Sequence, residues 1–100
     1  VIKVREKEFE EFLISDSNII SKTIAVRSRV NKGRMIERYF KISLDVIVSE
    51  DDIMCETLIR IKSEMKDTNG NLSNALRKYY QFANNRVFPT LSTYKDLEDM

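Results

Sequence analysis

Residues 49–65, SEDDIMCETLIRIKSEM, decide how the rest of the chain is read. Met54, Leu58, Ile61 and Met65 fall at i, i+4, i+7 and i+11, which is one face of an α-helix, and polar or charged residues fill most of the other positions. Ser49 stands where an N-cap belongs, and Glu50-Asp51-Asp52 bring carboxylates to the positive end of the helix dipole. The spacing predicts an amphipathic helix to about Lys66. Asp67-Thr68-Asn69-Gly70 then reads as a turn, with Asn69 or Gly70 suited to the left-handed backbone that follows a helix.

Downstream, residues 71–85 repeat the pattern. Leu72, Ala75, Leu76, Tyr79, Phe82 and Ala83 share one side, while Asn74, Arg77, Lys78, Gln81 and Asn85 fall within roughly 100° on the other. Tyr79 and Phe82 are expected in the core. Tyr80 falls on the border, so its ring is expected to pack while its hydroxyl points outward toward a phosphate. After Arg86, Pro89 interrupts regular structure, and Ser92 is placed to cap a short final helix. Residues 1–88 are read as one helical domain and 89–100 as its tail, a short helix or a linker.

Upstream, residues 4–14 put Val4, Phe9, Phe12 and Leu13 at helical spacing, and Ser15-Asp16-Ser17-Asn18 ends that helix by competing for backbone hydrogen bonds. Ser21 is the expected N-cap of a second helix running to about Phe40. Ala25, Val26, Val30, Gly33, Ile36 and Phe40 form its core stripe, with Gly33 placed for close approach of a neighbour. Residues 42–48 alternate briefly like a strand, but a lone strand has no partner. A loop tucked in by Leu44 and Ile47, which could contain one helical turn, is the preferred reading.

Composition agrees with an all-α bundle of four or five helices. Two Gly and one Pro in 100 residues cannot supply the turns of a sandwich or barrel. No apolar run approaches the 18 or more residues of a membrane span, so no membrane association is expected. With Cys55 alone and no His, the chain has no internal disulfide, no usual zinc ligand set and no His-based triad. Cys55 reads as a structural thiol, in keeping with a reducing, cytoplasmic compartment. The Glu50-Asp51-Asp52 run reads as helix capping, because consecutive helical residues diverge and do not converge on one metal ion. No cofactor, metal or small-molecule ligand is expected.

The net charge of +1 conceals blocks of alternating sign. Residues 21–41 carry seven bases against the single acid Glu37, and 71–88 carry three bases and no acid, with acidic stretches on either side. On the second helix Arg27, Arg34, Arg38 and Lys41 fall within about 60° beside the apolar stripe. A solvated face more often mixes signs to form i,i+4 pairs. Four like charges in line instead suit an external polyanion. On the later helix, Asn74, Arg77 and Gln81 carry the groups that pair with base edges, and Lys78 adds a phosphate contact.

The order of these signals, SKTIAVRSRVNKGRMIERYF, then VSEDDIMCETLIRIKSEM, then NLSNALRKYYQFANN, resembles the SAM-like core-binding domain at the N-terminus of phage integrases and other tyrosine recombinases. The similarity covers roughly residues 9–88. It rests on Thr23, Arg27 and Arg29, on the helix start Asp52-Ile53, and on Ser73, Ala75, Leu76, Arg77, Tyr80 and Phe82. The same arrangement resembles segments attached to bacterial nucleases and other mobile-element or defence proteins. The resemblance implies a helical bundle whose second and fourth helices lie across duplex DNA. It carries over no recombinase activity, since the catalytic Arg, His and Tyr domain has no counterpart here.

The expected function is therefore a duplex DNA-binding module of a larger integrase-like or nuclease-like protein, not an enzyme by itself, with any catalytic domain elsewhere in the same polypeptide. The expected contacts are Arg27, Arg34, Arg38 and Lys41 to phosphates and Asn74, Arg77, Lys78 and Gln81 in or beside the major groove. The alternative is a helical protein-interaction module that meets an acidic partner. Opening at Val1, inside a charged segment, the chain reads as a piece of something longer.

Overall fold

A computed structural model of the chain describes residues 6–15 and 22–98, all helix and connecting turns. Six helices follow one another: α1 (Glu6–Ser15), α2 (Lys22–Phe40), α3 (Leu44–Ser49), α4 (Asp51–Glu64), α5 (Asn71–Asn84) and α6 (Leu91–Glu98). The expected all-α bundle is what forms. The expected contributions of Val4 and of Ser21 as a cap lie outside the described residues.

α5 is the central element. It packs against α1, α2, α3 and α4, most extensively against α2. Its entrance is built by Asp67, whose carboxylate accepts the backbone N–H groups of Leu72 (3.0 Å) and Ser73 (2.9 Å) and the Ser73 hydroxyl (2.8 Å). The two N–H groups are donors that a helix start leaves without an intrahelical partner. Gly70, at φ 78°, makes the left-handed step that sets Asp67 in place. The helix ends at Asn85, also left-handed (φ 61°).

Most of the stretch expected as a loop at 42–48 belongs to the short helix α3, where two of the first three N–H groups find side-chain acceptors. Ser43 Oγ accepts from Val46 N (3.2 Å), and the Glu37 carboxylate reaches from α2 to accept from Leu44 N (2.9 Å). Ser49 is therefore not the cap of α4 but the last residue of α3, its hydroxyl donating to the Val46 carbonyl. Glu50, in extended conformation, closes α3 and opens α4. Gly33 plays its expected part: a Cβ there would stand 3.0 Å from Leu44 Cδ1, so the bare backbone lets α3 close onto α2.

Met54, Leu58 and Ile61 of α4 are buried as the spacing predicts, with Met65 half-buried beside them. Two aromatic groups flank this core. Phe9 and Phe12 of α1 meet Tyr79 and Phe82 of α5 at ring separations of 5.0 to 5.7 Å. On another side, Tyr80 meets Phe88 edge-to-face at 5.0 Å, and Phe88 meets Tyr94 in a tilted contact at 5.2 Å. The second group joins the tail to the body: Phe88 is fully buried, and Leu91 and Tyr94 pack on the core. Thr90, not Ser92, caps α6, accepting from Thr93 N and offering its carbonyl to Tyr94 N.

Candidate nucleic-acid interface

The outward face of α2 carries the basic row. Arg27 and Arg38 are exposed, and Arg34 is half-buried with its Nη1 donating to Asn31 Oδ1 (3.3 Å). Asn31 itself is exposed in the same sector, one turn from Arg27, a member of the row that the emphasis on charge passed over. The one acid of the segment is turned away. Glu37 is 9% exposed and bound to the first turn of α3, so no carboxylate of α2 faces outward beside the arginines. Lys41 is exposed but lies beyond the last helical residue with φ 57°, and the helical wheel that aligned it with the row no longer applies there.

Two bases of the segment have inward roles. Lys32 donates to Ser28 Oγ (3.1 Å) and its charge helps hold down the Asp67 carboxyl. That carboxyl is pushed upward by burial, but the bonds from Ser73 and Leu72 outweigh this and leave its pKa lowered. Arg29, one of the residues carrying the family resemblance, is half-buried and its Nε is enclosed without a hydrogen-bond partner among the described residues.

On α5 the solvent strip is Asn74, Lys78 and Gln81, at i, i+4 and i+7, with Asn85 just past the helix end in left-handed backbone. Asn74 and Asn85 are exposed; Lys78 and Gln81 are half-buried. Arg77, expected among the base-reading residues, is directed to the tail. Its Nη1 donates to the Phe88 and Pro89 carbonyls, both at 3.1 Å, and its guanidinium stands 5.8 Å from the Phe88 ring. Burial lowers its pKa.

Tyr80 also departs from expectation. It is fully buried, and its hydroxyl donates to Asp51 Oδ1 at 2.6 Å rather than facing a phosphate. Burial, then the Asp51 bond and charge, push its pKa up to about 12, against a smaller opposing effect of Arg86. Tyr79 and Tyr94 behave alike, donating to Asp45 (2.7 Å) and Asp52 (2.5 Å). Three tyrosines thus anchor three aspartates of the α3–α4 region, helped by Asn84 on the Val48 carbonyl and Arg86 on Asp51. Asp51 and Asp52 sit in the first turn of α4 as acceptors, and among the described residues no group of His, Cys, Asp and Glu is placed to hold a metal ion.

α1 packs on both α2 and α5. Its Glu10 and Ile14 stand beside Arg27 and Arg34, while its Phe9 and Phe12 reach Tyr79 and Phe82. Glu8, Glu10 and Glu11 of α1 are exposed, and Glu10 stands on the side of Arg27 and Arg34. α5 also has neighbours on most sides, so it offers side-chain tips over a narrow arc and not a protruding barrel. A helix set this deep can border a major groove about 8.5 Å deep but cannot fill it.

Among the described residues no helix is long and apolar enough to cross a membrane. No protein-family model matches the chain, no curated protein is detectably similar to it in sequence, and no solved structure matches it.

Proposed function

We propose that this domain is a duplex DNA-binding module of a larger protein, and that α2 carries the grip through phosphate contacts from Arg27, Arg34, Arg38 and, past the helix end, Lys41. The supporting observation is the inward turn of Glu37, which leaves an outward face with arginines and an amide and no acid of its own helix. From Arg27 to Arg38 the row spans about 16 Å of helix axis, comparable with roughly five phosphates of one strand at 3.4 Å each. Like charges held along that length repel one another in isolation and are relieved by a polyanion. Lys78, Asn74 and Gln81 of α5 add a second, shallower contact. Arg77 supports it from behind by fixing the tail. The residue pattern shared with core-binding domains of integrases fits the same reading, with any catalysis in another part of the polypeptide.

Fluorescence anisotropy with a labelled random-sequence duplex, titrated at two salt concentrations, tests this. Binding around the micromolar range at low salt is expected, with log K falling against log salt at a slope on the order of −4 for four or five phosphates neutralised. Arg34→Glu with Arg38→Glu weakens binding to every sequence alike, since phosphate contacts carry no sequence information. A folded protein that shows no binding at about 50 mM salt overturns the proposal.

A further inference from the structure

Between α1 and α2 runs a groove of about 450 Å³ that sets apolar residues beside part of the arginine row. Val26 and Val30 form its floor and Ile14 one edge, with Arg27, Asn31 and Arg34 along the α2 wall and Glu10 on the α1 wall. Ile14 is 53% exposed, an apolar side chain on the lip of a groove with an apolar floor. Nearby, Ile24 on α2 is 74% exposed, in the sector of Arg27 and Asn31. A phosphate backbone has no use for Ile14, Val26 or Val30. An apolar ligand has no use for the arginines.

We infer that the α1–α2 groove is a docking site for an acidic, amphipathic peptide segment of a partner protein, which sets apolar side chains on Val26, Val30 and Ile14 and turns its carboxylates to Arg27 and Arg34. The charge arrangement selects this occupant. The two guanidinium groups lie two turns apart on one wall, about 10.5 Å along the axis, with the Asn31 amide between them. Arg34 donates to the Asn31 oxygen, and this orients the Asn31 NH2 group away from that bond as a further donor. The α2 wall is therefore lined by donors, matched by a helix or extended strand with carboxylates along one edge. Glu10 opposes them across the groove and fixes the orientation, since a partner laid the other way would bring its acids against that carboxylate. The peptide and DNA both draw on Arg27 and Arg34, so each excludes the other, while the apolar floor belongs to the peptide alone.

The test uses three labelled synthetic peptides. One carries two leucines one helical turn apart, flanked by glutamates; the second replaces the glutamates by lysines; the third replaces the leucines by serines. The chain as it stands is titrated with each by anisotropy, and methyl signals of Ile14, Val26 and Val30 are followed by NMR. Binding by the first peptide alone, with shifts at those three residues, is expected. Ile14→Ser, a change at an exposed position, should weaken that binding about fivefold, in line with covering the remaining half of one Ile side chain. The same variant should leave DNA affinity unchanged, which separates failure of this site from failure of the DNA reading. Equal binding of the leucine and serine peptides, or shifts confined to the Arg38 end of α2, would overturn the inference. So would no binding by any of the three.

Discussion

Replacing Tyr80 by Phe removes one oxygen atom from a ring with no solvent exposure and leaves the edge-to-face contact with Phe88 intact. What is lost is the 2.6 Å bond from the hydroxyl to the Asp51 carboxylate. Bonds to a charged acceptor contribute about 1.5 to 3 kcal/mol. The Asp51 side chain is 36% exposed and keeps Arg86, so water and that guanidinium offset part of the loss and the lower end, about 1.5 kcal/mol, applies. For a domain of this size that corresponds to a fall in Tm of about 6 to 12 °C. The pH dependence gives an independent measure. In the folded state the Tyr80 pKa is raised to about 12, against about 10 for an unfolded tyrosine. A raised folded pKa means that the stabilisation is complete below pH 10 and is lost as pH climbs toward 12. Tyr80→Phe lacks this alkaline loss, so the stability difference between the two proteins should shrink across that window. Urea unfolding followed by circular dichroism between neutral pH and pH 11 measures both effects. Equal stability at neutral pH, together with parallel alkaline curves, would refute a buried hydroxyl–carboxylate bond and restore the outward-facing Tyr80 expected from the wheel.

Two further variants probe the connections around α5. Asp67→Ala removes three hydrogen bonds at the start of the helix and should cost about 1 to 3 kcal/mol in chemical denaturation. Because the folded pKa of Asp67 is lowered, its contribution is present above the unfolded value of about 3.9 and disappears as pH falls through the folded one, so the variant should also show a shallower acid decline. Arg77→Ala leaves the Phe88 and Pro89 carbonyls without their donor; it should lower stability by about 2 kcal/mol and speed hydrogen exchange in α6, while non-specific DNA affinity changes less than twofold. A stable Arg77→Ala protein with altered base preference would return this residue to the reading surface.

The long helices α2, α4 and α5 were legible in the amino-acid order, whereas the short α3 was not. Met54, Leu58 and Ile61, or Val26, Val30 and Ile36, repeat at helical spacing and are buried where that spacing puts them, because periodicity reports directly which side of a helix leaves water. The close approach at Gly33 and the left-handed turn at Gly70 were legible for the same local reason, since backbone sterics are set by the residue itself. The basic row of α2 was visible as same-sign charges in one sector. Partners of polar side chains were not, since each lies far along the chain and is met after packing. Tyr80 finds Asp51, Arg77 finds the Phe88 and Pro89 carbonyls, and Glu37 finds the first turn of α3. A wheel also assumes one buried side, whereas α5 has neighbours on several, so a border position such as Tyr80 becomes interior. The packing of α1 on α5 depends on Phe9 and Phe12 meeting Tyr79 and Phe82, contacts some seventy residues apart. Local spacing fixes which way a side chain leaves its own helix, and the assembly of helices fixes what it meets.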